Sequence, residues 1–139
     1  MTTIHHVNVM VDDLEAAIEF YRDVIGLEEI DTPDLGFPAQ FFAIGDRQQL
    51  HVNQLEDVHP VRSHFCLRVD DFDRIVARAD ERGAIDGVTW GRATRLASGV
   101  VQLFVRDPSG NLIELNSPPG HRVDDAFHSR PYVDPGMSR

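Results

Sequence analysis

A chain with one cysteine cannot close a disulfide on itself, so Cys66 excludes the small cross-linked folds of secreted domains. Long hydrophobic runs are missing as well. No stretch approaches the roughly 20 apolar residues of a membrane span, and the opening MTTIHHVNVMVDD has neither a basic leader nor an apolar signal core. A soluble protein of the reducing cytoplasm, with no membrane partner, is expected. Positive charge is scarce too: 13 basic against 23 acidic residues give a formal net charge of −10, with a pI near 4.9. No Lys/Arg run interrupts that acidity, which makes a phosphate backbone, and hence nucleic acid, an unsuitable partner. The acidity itself reads as a solvated surface that maintains solubility. What the chain does have is 42% apolar residues over a length of 139, enough for one compact domain or two half-sized modules sharing a core.

Its strongest feature is an internal repeat. IHHVNVMVDD, from Ile4 to Asp13, is echoed by SHFCLRVDD, from Ser63 to Asp71. In both, a histidine precedes a pair of aspartates by six residues, so that His6 and His64 correspond at an offset of 58. A second pair, FAIGDRQQLHVN and VRDPSGNLIELN, aligns at an offset of 63 and sets His51 against Glu114. Four repeat-related positions therefore carry side chains able to ligate a metal.

Residues 4–11 alternate and are rich in Val and Ile, which predicts a strand with His6, Asn8 and Met10 on one face. Asp12 and Glu15 form a capping-box pattern, Leu14, Ala17, Ile18, Tyr21 and Ile25 recur at helical spacing, and Gly26 supplies the stop. EEIDTP, QFFAIG and QQLHVNQL follow as strands, the last two around the Gly45-Asp46-Arg47 turn. The second half repeats this order. It has a strand over 63–69, a helix opened by Asp70 or Asp71 and ended by Gly83, and strands near 88–92, 99–106 and 111–117, the last two joined by a DPSG turn. The reading is an α+β fold of two tandem βαβββ modules, residues 1–57 and 58–118, with a polar, proline-containing join near Glu56 to Pro60. Residues 119–139 read as an irregular tail that Phe127 and Tyr132 can dock.

A lone histidine on a strand is usually structural. The repeat alters that reading, because pseudo-two-fold packing of the modules would bring His6, His51, His64 and Glu114 together. Imidazole nitrogens with one carboxylate suit Zn²⁺, Ni²⁺, Co²⁺, Fe²⁺ or Mn²⁺ and leave open positions for substrate. Strand parity adds Asn8, Asn53, Arg68 and Asn116 to the same lining as candidate substrate-pocket residues. Cys66 reads as a small buried filler, His5 as structural, and His59, His121 and His128 as solvent-facing.

The segments HHVNVMVDDLEAAIEFYRDVIGLEE, SHFCLRVDDFD and DPSGNLIELN resemble the vicinal oxygen chelate superfamily, which includes glyoxalases, bleomycin-resistance proteins and extradiol dioxygenases. The resemblance covers residues 4 to 117. It implies paired βαβββ modules forming a cupped mixed sheet around one divalent metal per site, which chelates neighbouring oxygens of a small-molecule substrate. His6, His64 and Glu114 then fall on usual ligand positions, and His51 on one that is commonly Glu or Gln. The implied function is a metal-dependent, glyoxalase-like lyase or isomerase with Glu114 as catalytic base. If His51 stays off the metal, an Fe(II) extradiol-type dioxygenase is the alternative. A non-catalytic drug- or metabolite-binding resistance protein is the third. A homodimer is expected, since each module leaves strand edges that a second copy can cover, and relatives of this length exchange modules between chains.

Overall fold

The computed structural model describes residues 2–59, 62–89 and 93–122, which fall into two units. Residues 123–139 of the tail, with Phe127, His128 and Tyr132, lie outside the described residues, as do Pro60 and the 90–92 segment. The first unit comprises the described residues up to 59 together with Asp107–Asn111; the second comprises 62–106 and 112–122. Among the described residues no helix is long and apolar enough to cross a membrane.

In the first unit the order is β1 (His6–Val11), α1 (Leu14–Glu19), a π-helical stretch (Phe20–Ile25), β2 (Glu29–Ile30), β3 (Ala39–Ile44) and β4 (Gln48–Gln54). The sheet runs β1-β4-β3-β2, with β1 parallel to β4 and the other pairs antiparallel. Alternation in β1 decides its faces. Val9 and Val11 are buried with Ala17, Phe20, Tyr21, Val24 and Ile25 of the helical segment, whereas His6, Asn8 and Met10 stay exposed. One expected detail shifts by a residue: Asp13, not Asp12, caps α1, its carboxylate accepting from the Ala16 N–H at 3.0 Å. Asp12 is engaged elsewhere, since its carboxylate accepts from the Ser109 hydroxyl at 2.5 Å. The helix also does not continue uniformly to Gly26 but widens into the π-helical stretch, before Gly26 ends it at φ 86, a left-handed value natural only to glycine.

The second unit repeats the plan with β5 (His64–Arg68), α2 (Phe72–Glu81), β6 (Ile85–Asp86), β7 (Thr94–Arg95), β8 (Val101–Arg106) and β9 (Leu112–Asn116). Its sheet runs β5-β9-β8-β6, β7 pairing with β8 off that path, and again the first strand lies parallel to the last. Phe72, Ile75, Val76 and Ala79 form the buried face of α2, as the helical spacing requires. Residues 90–92 of the strand expected near 88–92 lie outside the described residues; Val88 and Thr89 are in a bend, and a short strand stands upstream at Ile85–Asp86. Asp86 makes the bend: its carboxylate accepts from the N–H groups of Val88 and Thr89 at 2.9 and 2.8 Å, which turns the chain, and from Arg106 Nε at 2.7 Å. His121, expected in solvent, instead lies 2.9 Å from Asp73 with its ring against Phe72.

The turn Asp107–Asn111 is counted with the first unit because of what it buries. Tyr21 OH donates to Asp107 Oδ2 at 2.8 Å, the same oxygen accepts from Asn111 Nδ2 at 2.8 Å, and Asp107 Oδ1 accepts from the N–H groups of Ser109 and Asn111. Burial pushes both the Asp107 carboxyl and the Tyr21 phenol above their ordinary values, so the phenol remains a donor. Tyr21→Phe removes one donor from a buried carboxylate and is expected to cost about 1–3 kcal/mol. Urea unfolding checks this, and an unchanged midpoint would refute it.

Candidate metal centre

Parallel pairing of first and last strands fixes the donors. On β1 and β4 the partners are His6 with Gln49 and Asn8 with His51, so His51 stands diagonally from His6. On β5 and β9 they are His64 with Leu112 and Cys66 with Glu114, so Glu114 stands on the same diagonal from His64. Paired residues share a sheet face, and in both units that face is opposite the helix.

In the first unit the rings of His6 and His51 stack with centroids 4.1 Å apart and planes 10° from parallel. His51 stacks on Phe41 on its own account, at 3.5 Å and 2°. Gln49 Oε1 lies 2.8 Å from His51 Nε2; an amide oxygen only accepts, so this contact places the proton on Nε2 and the lone pair on Nδ1. Desolvation, then the neighbouring His6 and His5, lower the pKa of His51 and keep its ring neutral. His5 is no bystander: its Nδ1 lies 3.0 Å from that of His6.

In the second unit His64 Nε2 is 3.2 Å from Glu114 Oε2, and His64 sits edge-on to Phe104 at 5.1 Å. Two donors each about 2.0–2.2 Å from one ion stand about 3.0–3.4 Å apart. The His64–Glu114 separation is that of a hydrogen bond and also falls in this span, and the donor chemistry suits a borderline divalent ion. Cys66 is exposed on this face rather than a buried filler. Desolvation of its thiol, with the charge of Glu114 adding to it, still pushes its pKa up to about 11, far from a reactive thiolate.

Each unit thus carries two of the four expected donors. Among the described residues no group of three or more His, Cys, Asp or Glu is arranged to hold a metal ion. Of the expected pocket residues, Asn8 and Arg68 are exposed, while Asn53 and Asn116 each hold a buried Oδ1 without a hydrogen-bond partner. Sequence reasoning, which by strand parity puts Gln49 on the face of His51, missed the two phenylalanines. Phe41 and Phe104 are related by the same offset of 63 that pairs His51 with Glu114, and that signal was available.

Known proteins resemble this chain. The chain is 30% identical over 124 residues to the "Probable lactoylglutathione lyase" of Vibrio parahaemolyticus, covering 81% of this chain and 88% of that one. It is 26% identical over 126 residues to the mitochondrial methylmalonyl-CoA epimerase of Mus musculus, covering 81% and 71%. Among solved structures, the lactoylglutathione lyase of Agrobacterium tumefaciens superimposes with a TM-score of 0.61 at 27% identity, covering 84% of this chain and 94% of that one. Residues 3–115, which contain both diagonal donor pairs, match the sequence profile of one family from end to end of the two modules, and the chain belongs to the Glyoxalase/Bleomycin resistance protein/Dioxygenase superfamily.

Proposed function

We propose that the protein is a divalent-metal-dependent enzyme that moves a proton beside a carbonyl of a small oxygen-bearing substrate, as a lyase or isomerase. The observation that carries this reading is the donor pair repeated on one diagonal in both units, imidazole with imidazole and imidazole with carboxylate. His6, His51, His64 and Glu114 are the residues that would hold the ion. When bound, a divalent ion acts as a Lewis acid toward a carbonyl oxygen. The chain's own part is the proton. Glu114 is the carboxylate of the set, half-buried and beside His64, and in this reading it would accept a proton and return it. The relatives named as lactoylglutathione lyase support proton transfer as the reaction type.

One observation favours a second reading. His51 is held by Gln49 and stacked on Phe41, and without it His6, His64 and Glu114 are the two-histidine, one-carboxylate set of non-haem iron oxygenases. Metal analysis of protein purified without chelators, followed by paired assays, separates the two. Proton transfer predicts bound divalent metal and solvent deuterium entering a 2-hydroxycarbonyl or thiohemiacetal substrate, with no oxygen uptake. Oxygen uptake on a catechol by the Fe(II)-loaded protein would favour the second reading, and protein that takes up no divalent ion would overturn both.

A further inference from the structure

The donor face of the first unit continues beyond the histidines. Two residues past His51 stands Asn53, only 8% exposed, whose Oδ1 has no hydrogen-bond partner. Strand alternation puts its side chain on the face of His51. A buried amide oxygen left unpaired costs free energy until something donates to it. Its cross-strand neighbours are Met10 on β1 and Ala39 on β3. Pairing carries on past the strand ends: the Leu55 N–H donates to Val11 O at 2.8 Å and the Gln54 N–H to Pro38 O at 2.9 Å, which keeps Leu55 and Phe37 at this end of the sheet.

That end is apolar and open. Met10, Phe37 and Leu55 are 39, 45 and 49% exposed, three of the large hydrophobic side chains left to solvent. Among the first unit's described residues no Lys or Arg stands at that end. The sequence has no lysine, and among the first unit's described residues Arg22 is paired with Asp23 and Glu29 while Arg47 sits in the β3–β4 turn at the opposite end. The second unit differs at the equivalent places. Asn116 Oδ1 is orphaned in the same way, but its strand neighbours are Arg68 and Gln102. Arg68 and Gln102 thus stand where the first module has Met10 and Ala39.

Resting on the metal-centre reading above, we infer that this end is a substrate subsite: Met10, Phe37 and Leu55 seat an uncharged apolar substituent, and Asn53 Oδ1 accepts a hydrogen bond from a substrate N–H or O–H beside it. The substrate class is then a neutral oxygen chelator with a hydrogen-bond donor and an apolar tail.

Hydroxamic acids of increasing length combine these three properties and serve as probes. Acetyl, butanoyl and hexanoyl hydroxamic acids are titrated into the full chain, metal-free by NMR and Ni²⁺-loaded by calorimetry. Affinity is expected to rise about two- to fourfold per methylene in both forms, with shifts at the methyls of Met10 and Leu55. Phe37→Ser/Leu55→Ser should flatten that rise and leave acetohydroxamic acid unaffected. N-methylation of the hexanoyl probe should weaken binding to the parent about tenfold and leave Asn53→Ala unmoved. Length-independent affinity in the parent overturns the subsite, and so does a rise that survives the double variant. A double variant that changes only the oligomeric state, with the rise intact, makes the patch a subunit contact and also overturns it. Metal has its own arm. A length-dependent affinity that Ni²⁺ does not strengthen keeps the subsite and sinks the metal reading, whereas Ni²⁺-strengthened binding without length dependence does the reverse.

Discussion

Glu114→Gln is expected to lower turnover by about 10² to 10⁴, the usual effect of removing a general base, while most of the bound metal remains. The amide keeps the shape of the carboxylate and one oxygen toward His64, which lies 3.2 Å from it in the parent. What it loses is basicity. Neither neighbour on the strand pairing replaces it, because the Cys66 thiol is pushed up to about 11 and is a poor acceptor at neutral pH. Turnover measured together with metal content per chain separates the roles. A variant that retains metal and works at the parent rate would remove Glu114 from the proton-transfer step, and a variant that loses metal and activity in parallel would make it a ligand alone.

Mixing the His6→Ala and Glu114→Ala variants should restore metal binding to about one quarter of the sites, if the protein is the homodimer expected from its sequence with donor pairs exchanged between chains. His6→Ala spoils the pair of the first unit and Glu114→Ala that of the second. In the exchanged arrangement each mixed dimer recovers one intact set, His6 and His51 from one chain with His64 and Glu114 from the other. Half of randomly formed dimers are mixed. When all four donors come from one chain no mixing recovers any site, so the two arrangements differ by an all-or-none result. Metal content after refolding the variants together is the measurement. A monomer of 15.6 kDa carrying its full metal complement would end both the dimer and the exchange.

The modules were legible because two signals agree along the chain: side-chain alternation on the strands, and donors recurring at offsets of 58 and 63. Alternation assigned His6, Asn8 and Met10 to the face opposite Val9 and Val11, and the coordinates show that division. Local pattern failed where a distant partner decides. Ser109, 97 residues along the chain, takes Asp12 and leaves the helix cap to Asp13. Arg106 and the bend at Val88 and Thr89 draw Asp86 inward, and those two residues turn instead of extending. His121 found Asp73 and Phe72 for a similar reason. Orphaned acceptors are invisible in sequence altogether, since Asn53 and Asn116 become conspicuous only when every neighbouring donor has been accounted for.

The parallel pairing of β1 with β4, and of β5 with β9, also sets a sequence of events in folding. In each module the first strand finds its partner only in the last, so the loop to be closed is the whole module, helix and hairpins included. Local contacts in helices and antiparallel hairpins form early, and long closures come late. The donor pairs are therefore among the last native contacts to form, and a chain emerging in order from its N-terminus presents single, unpaired donors until the last strand of each module has docked. An ion with a preference for two ligands from one module binds the finished module and not its precursors. On the proposed metal-centre reading, such binding would draw the folding equilibrium forward at its final step by mass action, and ion uptake would report completion of the fold.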